Sequence, residues 1–328
     1  MNQIFVKADC FTVSFQSDCE QAISYIMDNL HEFSRLTITF CVLESPAAPH
    51  AVFSYYDEET TELSYIPEKT EYVLTCPWKK IGESTILPMV FRLIVELLRQ
   101  NKKEIKLHAS AVERNGKVAL FVAPSEGGKT TTALAMCQRR GCLLRANDAA
   151  VLRCINNLPY FLRGDTTFGF RHNGLAAYSE ELYENITNSK DTALPWYEKT
   201  RLSAHELGVM PGVDLLPVKA VFFVKLDPLV SGCKVTKYHS DKPEYNHIWF
   251  KPKMMILQNI AGTLRGVDLI PIGNDGSVLP LVIPTLDNEV LCQYRITFVN
   301  ELFAKCEVYQ LRGQLDAMIE AIDEVLSN

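Results

Sequence analysis

The segment that most constrains the fold is a strand, a glycine-containing loop and a helix that follow one another near the middle of the chain. Residues 117–123 read KVALFVA, a nearly uninterrupted apolar run, and residues 124–128 end in two glycines. Residues 131–140 have a helical pattern and are followed by Gly141, a residue typical of helix ends. A second strand pattern, CLLRA, comes next at 142–146. This order of strand, loop, helix and strand predicts an α/β fold with a βαβ unit.

The loop in this segment, APSEGGKT at 123–130, matches the P-loop pattern G-x-x-x-x-G-K-[ST] at every position but the first. In such a loop successive backbone N–H groups face a phosphate, and the positive end of the following helix strengthens that cradle. The lysine reaches the β- and γ-phosphates, and the Thr130 hydroxyl coordinates Mg²⁺. The predicted nucleotide-binding residues are Ser125, Glu126, Gly127, Gly128, Lys129, Thr130 and Thr131.

The first position of the pattern is Ala123 rather than glycine, which removes one permissive backbone conformation. A glycine turn with an incidental lysine is the alternative interpretation. The flanking strand and helix are the setting that a P-loop requires, and they favour phosphate binding.

A carboxylate stands after the strand that follows the predicted P-loop helix. Asp148 lies 19 residues after Lys129. It could hold Mg²⁺ directly or through water, or accept the proton of an attacking hydroxyl. The alternative is an ordinary turn aspartate. Next to a P-loop the functional interpretation is favoured.

The stretch LHASAVERNGKVALFVAPSEGGKTTTALAMCQRRGCLLRANDAAVL, residues 107–152, resembles the HPr serine kinase/phosphorylase family. It is most similar to the HPr-kinase-like relatives associated with peptide modification, as in lasso peptide pathways. A looser resemblance extends through 218–226 and 299–326. The resemblance implies a P-loop kinase domain of the HPr kinase and phosphoenolpyruvate carboxykinase type, with ATP and Mg²⁺ as cofactors. It also makes a homo-oligomer plausible.

The resemblance also assigns site residues by position. His108 takes the place of a family histidine near the phosphates, although a strand histidine bonded to a neighbour explains it equally well. The family's paired aspartates correspond to Asn147 and Asp148, one acting as base and the other near the metal. An amide cannot take up a proton as a carboxylate does, and it binds Mg²⁺ more weakly. Either Asp148 acts alone as the base, or the protein binds nucleotide with reduced turnover.

The resemblance therefore implies the catalytic residues Asp148, Lys129 and His108 and the metal ligands Thr130 and Asp148. The glycine-rich segment that supports phosphorolysis in the family has no counterpart here, so phosphorylase activity on HPr is not expected. Residues 156–215 are compatible with either a substrate loop or irregular surface. Four cations within them could reach phosphate or could be solvated surface charges: Arg163, Arg171, Lys199 and Arg201.

The composition limits which other classes of protein the chain can belong to. The 328 residues are 47% hydrophobic and 22% charged, which predicts a globular chain of about two domains. The net charge of −6 disfavours a broadly basic nucleic-acid-binding protein. No secretory signal or membrane-spanning run is recognisable, and the ten cysteines form no C-x-x-C pair. We expect a cytoplasmic protein without membrane or nucleic-acid partners.

The predicted domains are an N-terminal α+β domain, 1–103, and a nucleotide-binding domain, 104–328. The first contains predicted helices at 19–33 and 87–100 and predicted strands at 36–43, 51–56 and 71–76. Its acidic and aromatic stretch 53–65 is interpreted as a solvated hairpin, the alternative being a surface for a basic partner or a peptide.

The function expected from these residues and the resemblance is an ATP- and Mg²⁺-dependent kinase. It would transfer the γ-phosphate to a serine-type hydroxyl of a peptide or small protein. A nucleotide-binding accessory or regulatory protein without phosphotransfer is the alternative from another class. A kinase acting on free serine or a sugar would differ in its acceptor alone.

Overall fold

The computed structural model describes residues 1–30, 33, 39–81, 86–171, 199–212, 215–239, 242, 246–266, 270–272, 277–279 and 285–327. They form two compact units: the first is Met1–Lys106 with Lys253–Val299, and the second is Leu107–Pro252 with Asn300–Asn328. The sequence analysis assigns all of 104–328 to one domain, whereas 253–299 belongs to the first unit. The mixed α/β class predicted from the sequence is confirmed.

Seven helices lie among the described residues: α1 (Glu20–Asp28), α2 (Trp78–Ile81), α3 (Ile86–Asn101), α4 (Lys129–Arg140), α5 (Asn246–Ala261), α6 (Glu289–Lys305) and α7 (Leu315–Ser327). Single 3₁₀ turns occupy Pro67–Lys69 and Gly262–Arg265. None of these helices combines the length and the apolar character needed to cross a membrane.

The first unit contains six strands: β1 (Asn2–Ala8), β2 (Phe11–Ser17), β3 (Phe40–Val42), β4 (Ala51–Tyr56), β5 (Glu62–Ile66) and β6 (Glu71–Thr75). They form one mixed sheet in the order β3-β1-β2-β4-β6-β5, in which β4 runs parallel to β2 and β6. The predicted strands at 51–56 and 71–76 are confirmed. Part of the predicted helix 19–33 and part of the predicted strand 36–43 lie outside the described residues.

The hairpin predicted over 53–65 is wrong. β5 pairs with β6, which separates it from β4. Most of β4 is buried because it lies inside the sheet between two parallel neighbours, and β5 occupies the edge. Local alternation of residues predicts a strand but does not specify which strand it pairs with.

An aromatic cluster joins α3 to the sheet of the first unit. The Phe91 ring of α3 lies 5.2 to 5.9 Å, centroid to centroid, from the rings of Phe15, Phe33, Phe40 and Phe53. All five rings are buried or nearly so. Offset and edge-on packing of this kind adds to the free energy gained from burying the rings.

The same helix also carries a buried cation. Arg99 is fully buried; its Nε donates to Asp9 Oδ2 at 2.8 Å, and its Nη1 donates to Glu96 Oε2 at 3.3 Å. Charge-assisted hydrogen bonds in a site without water are strong, because no solvent competes for them. The Arg99 guanidinium therefore links α3 to the first hairpin of the chain.

The segment 253–299 is attached to α3 through Gln100. The Gln100 side-chain N–H donates to Ile260 O at 2.9 Å, and its oxygen accepts from Arg295 Nη1 at 2.8 Å. A second bond of Arg295, from Nη2, goes to Asp287 at 2.5 to 2.6 Å. The two bonds of Gln100 join residues more than 150 positions apart in the chain, and they explain why this segment belongs to the first unit.

The remaining strands are β7 (Ile105–Leu107), β8 (Ser110–Arg114), β9 (Lys117–Val122), β10 (Leu143–Ala146), β11 (Ala150–Ile155), β12 (Leu158–Gly164), β13 (Thr167–Arg171), β14 (Lys199–Ser203), β15 (Leu216–Leu226), β16 (Cys233–Lys237), β17 (Ile270–Ile272), β18 (Ser277–Leu279) and β19 (Glu307–Gly313). Nine of them form the large sheet, in the order β10-β8-β9-β15-β12-β11-β7 with β19 beside β15 and β16 beside β19. The pairs β13–β14 and β17–β18 are separate two-stranded sheets.

Three parallel strands form the centre of the second unit. β15 runs parallel to both β9 and β19, and Phe222 is in register with Phe121 on one side and Tyr309 on the other. Their runs of buried residues match the apolar pattern of parallel strands covered on both faces. The carboxyl ends of the three strands meet at one edge, which is where the predicted P-loop begins.

The local predictions for residues 107–152 agree with the structure. Asn115 and Gly116, both with positive φ, form the tight turn between β8 and β9, and α4 ends at Gly141 with φ +65°. The predicted strand 218–226 lies within β15, and the predicted C-terminal strand and helix are β19 and α7. Residues 172–198, inside the stretch of uncertain pattern, lie outside the described residues.

Replacing Arg99 by methionine should destabilise the first unit. The change keeps much of the side-chain volume but removes the guanidinium that contacts Asp9 and Glu96, and breaking a buried ion pair costs about 3–5 kcal/mol. Urea unfolding followed by tryptophan fluorescence measures the loss. Arg92→Met, a half-buried position on the same helix, is the matched control and should change stability much less. Equal effects of the two variants would contradict a special role for Arg99.

Candidate functional site

The loop between β9 and α4 has a backbone conformation and close contacts that require glycine at positions 127 and 128. Gly128 precedes the helix with φ +99°, and a Cβ at this position would lie 2.5 Å from Leu226 Cγ. A Cβ on Gly127 would lie 2.6 Å from the Ala123 Cβ. A side chain on Gly128 would therefore collide with Leu226 at the end of β15, and one on Gly127 would collide with the start of the loop itself.

The end of β15 supports this loop from the side. The Leu226 backbone N–H donates to Gly127 O at 3.1 Å. Because β15 is the parallel neighbour of β9, its carboxyl end necessarily lies next to the loop. The loop thus leaves from β9 and is bonded through its main chain to the end of β15.

The amide groups of the loop are partly engaged within it. The Gly127 N–H, which the sequence analysis predicts to face phosphate, donates to Pro124 O at 3.1 Å. Ser125 and Glu126 are exposed, and Glu126 has φ +64°, an uncommon conformation for a residue with a side chain. Thr131 is exposed on the first turn of α4.

Lys129 is buried at the first position of α4. Its side chain is 6% exposed, and its Nζ donates to Ala123 O at 3.4 Å across the loop. Burial lowers the pKa of Lys129, and the Asp148 carboxylate opposes that shift. Burial removes water from the Lys129 ammonium, and a nearby anion would stabilise its charge in place of that water. The ammonium therefore attracts an anion to the loop.

Asn147 connects the first turn of α4 to β13. The Thr130 hydroxyl donates to Asn147 Oδ1 at 2.9 Å, and Asn147 Nδ2 donates to Thr167 O at 3.0 Å. The Ser110 hydroxyl bonds to the Asn147 carbonyl oxygen. The bond to a backbone carbonyl requires the NH₂ group, so this orientation of the amide is the one that satisfies both partners. An aspartate could not make both bonds in its ionised form.

Asp148 and His108 lie side by side next to this amide. His108 Nδ1 is 3.1 Å from the Asp148 carbonyl oxygen and 3.7 Å from its carboxylate Oδ1. The two side chains are 42% and 57% exposed. The Asp148 carboxylate is thus reachable from solvent, while its charge also acts on the buried Lys129. The three predicted catalytic residues and the predicted metal ligand Thr130 come from three separate segments, namely α4, the connection from β7 to β8 and the connection from β10 to β11, and they meet here.

Asp165 is a residue of this site that the sequence analysis does not single out. Its carboxylate Oδ1 accepts the backbone N–H of Asp148 at 3.0 Å and that of Ala149 at 2.7 Å. Burial raises the pKa of Asp165, and these two bonds oppose the increase. No motif marks the residue; the signal available in the sequence is the Gly-Asp pair at the end of a strand.

The four predicted phosphate-reaching cations lie on three strands. Arg163 is on β12, and Arg171 of β13 is the register partner of Lys199 of β14. Arg201 is on β14 and is exposed. Their role in binding phosphate stays a prediction.

No protein-family model matches the chain, and a search of curated proteins finds no match.

Within the described ranges no three His, Cys, Asp or Glu side chains cluster so as to hold a metal ion on their own. Mg²⁺ with an ATP-bound site needs fewer protein ligands, because it keeps waters and binds phosphate oxygens. Thr130 and Asp148 are a hydroxyl and a carboxylate, the types of ligand that such a site uses.

Replacing Asn147 by aspartate, the residue found at this place in the resembling family, should weaken the site. Asn147→Asp replaces a donor by a carboxylate oxygen facing Thr167 O, and a buried polar group without its bond costs about 1–3 kcal/mol. Thermal and urea unfolding measure the loss. Asn156→Asp, in the exposed turn between β11 and β12, serves as control. An Asn147→Asp protein as stable as the wild type would show that the bond to Thr167 contributes nothing.

Proposed function

We propose that this chain is an ATP- and Mg²⁺-dependent kinase that phosphorylates a serine-type hydroxyl of a peptide or small protein. Its second unit would be a P-loop kinase domain of the HPr kinase and phosphoenolpyruvate carboxykinase type. The observation that carries the proposal is the meeting of two predicted features that are separate in sequence. Thr130 of the P-loop bonds to Asn147, and Asp148, the next residue, acts electrostatically on Lys129.

In this proposal the glycine loop and Lys129 hold the phosphates of ATP. The Lys129 ammonium is already desolvated, so its attraction for a phosphate is weakly screened. Thr130 and Asp148 would be the protein ligands of Mg²⁺. The ion would neutralise charge on the β- and γ-phosphate oxygens as it does in other P-loop enzymes.

Phosphoryl transfer then needs a base near the acceptor. The acceptor oxygen forms a bond to the γ-phosphorus, the bond from the γ-phosphorus to the bridging oxygen breaks, and ADP leaves. Asp148 takes the hydroxyl proton. Its exposed carboxylate suits this role because an acceptor can approach it from solvent. His108, beside it, limits where the Asp148 backbone can move.

One observation favours the accessory protein without phosphotransfer. Asn147 supplies an amide where the resembling family has a carboxylate, and that amide engages the Thr130 hydroxyl. The carboxylate that the family would offer near Mg²⁺ is missing at this position, while the Thr130 hydroxyl donates its hydrogen to Asn147 Oδ1 and keeps its lone pairs for the ion. A kinase for free serine or a sugar has the same nucleotide site, so the acceptor must be found by experiment. A homo-oligomer belongs to the proposal through the resemblance alone, and a cytoplasmic location through the composition and the scattered cysteines.

The nucleotide site is tested by thermal unfolding with and without Mg²⁺-ATP. At 100 times its Kd a ligand stabilises the folded state by about 2.7 kcal/mol. We expect this shift in the wild type and its loss in Lys129→Ala, because that variant lacks the cation facing the cradle. Lys117→Ala, at the opposite end of β9, should keep the full shift. The absence of any shift in the wild type with ATP or ADP would refute the nucleotide site.

Asp148→Asn separates the kinase from the accessory protein. Loss of a general base lowers the rate by about 10²- to 10⁴-fold, while the loop and Lys129 still bind ATP. The measurement is ADP formation from Mg²⁺-ATP with water, free serine or serine-containing peptides as acceptor, alongside the thermal shift. Wild-type protein that binds Mg²⁺-ATP but phosphorylates none of these acceptors would favour the accessory protein.

A further inference from the structure

The turn from Asn147 to Ala149 is held by one residue of the following hairpin. Asp165 contacts the turn through both its side chain and its main chain. Its carboxylate Oδ1 accepts the N–H groups of Asp148 and Ala149 at 3.0 and 2.7 Å. Its carbonyl oxygen accepts the Asn147 N–H at 2.8 Å, and its own N–H donates to Ala149 O at 3.1 Å. Every backbone N–H of the turn is therefore bonded to Asp165.

Gly164 makes this close approach possible. A Cβ at Gly164 would lie 2.7 Å from Arg145 O and 2.8 Å from Ala149 O, too close for any side chain. The end of β12 therefore lies directly against the backbone at both ends of the turn. Only this approach brings the short Asp165 side chain within reach of two consecutive N–H groups.

We propose that Asp165 is a positioning residue that sets the place of the Asp148 carboxylate. The effect of Asp165 on catalysis rests on the proposed kinase function. Asn147 keeps further bonds to Thr130 and Thr167 when the Asp165 carboxylate is removed. The backbone bonds of Asp165 also remain in any variant. The loss therefore falls on the N–H groups of Asp148 and Ala149.

The position of the Asp148 carboxylate matters because it interacts with two other side chains of the site. Its carboxylate lies 3.7 Å from His108 Nδ1, and its charge acts on Lys129. A carboxylate on an exposed turn has many accessible positions unless its backbone is held. Misplacing a catalytic group by about 1 Å can lower a rate by about 10²-fold. The Asp165 bonds remove that freedom before any substrate arrives.

Amide hydrogen exchange tests the hold on the turn without any assay of activity. In Asp165→Ala the amides of Asp148 and Ala149 should exchange about tenfold faster or more, because their acceptor is gone. The Asn147 amide, bonded to the main chain of residue 165, should stay protected as an internal control. Asp165→Asn should restore protection, since its side-chain oxygen can accept both N–H groups.

Steady-state ADP formation from Mg²⁺-ATP tests the catalytic consequence. In Asp165→Ala kcat should fall about 10- to 100-fold while the Kd for Mg²⁺-ATP stays nearly unchanged, the signature of a misplaced catalytic group. Asp165→Asn should recover most of kcat. Glu206→Ala is the matched control, because Glu206 Oε2 also accepts a backbone N–H, that of Ser203 at 2.7 Å, elsewhere in the same unit.

Three results would overturn the proposal. Unchanged exchange of the Asp148 and Ala149 amides in Asp165→Ala would show that the carboxylate does not hold the turn. Faster exchange with an unchanged kcat would show that the turn does not need holding. The third result is that Asp165→Ala loses kcat and Mg²⁺-ATP binding together, with no recovery in Asp165→Asn. That result would show that Asp165 contributes to folding in general and does not position Asp148.

A second variant and the exchange data cover the cases in which the first tests cannot be made. Should the alanine variant fail to fold, Asp165→Ser tests the same point, because its shorter side chain cannot reach both N–H groups. If the wild type neither binds Mg²⁺-ATP nor forms ADP, the kinase proposal fails. The exchange data then still decide whether Asp165 holds the turn.

Discussion

The parallel pairing of β15 with β9 is the interaction on which the rest of the second unit depends. It buries the apolar faces of both strands and aligns their carboxyl ends. The chain then has to leave β9 beside the end of β15, where Leu226 bonds to Gly127 and leaves no room for a side chain on Gly128. The glycines of the loop are thus required by the strand beside them as well as by any phosphate.

A second constraint organises the opposite side of the site. The turn after β10 carries an amide and a carboxylate in succession, and each is fixed by a different neighbour. Asn147 is bonded to α4 and β13 through its side chain. Asp148 is held through its backbone by Asp165 and contacts His108. Asn147, which the resemblance alone presents as a weakened metal ligand, is in the structure a connector with both ends of its amide bonded.

The first unit is organised by a different kind of interaction. Its sheet and α3 pack through aromatic rings, while Arg99, Gln100 and Arg295 form buried polar contacts with distant parts of the chain. Such groups are stable inside a protein only when their bonds are satisfied, so their partners must come to them. This requirement brings the segment 253–299 into a unit from which it is separated by 146 residues of chain.

The sequence by itself determined the local elements and the glycine-containing loop between β9 and α4. The apolar run of β9, the two glycines, Lys129 and the helix end at Gly141 follow from short-range sterics and periodicity, which act between near neighbours in the chain. The tertiary structure decided what those rules cannot reach. The pairing of β5 with β6, the membership of 253–299 and the contact of Asp165 with the turn join residues that are spatial but not sequence neighbours. Strand partners and buried hydrogen bonds are chosen by the whole packed chain, because each depends on which other groups remain to be satisfied.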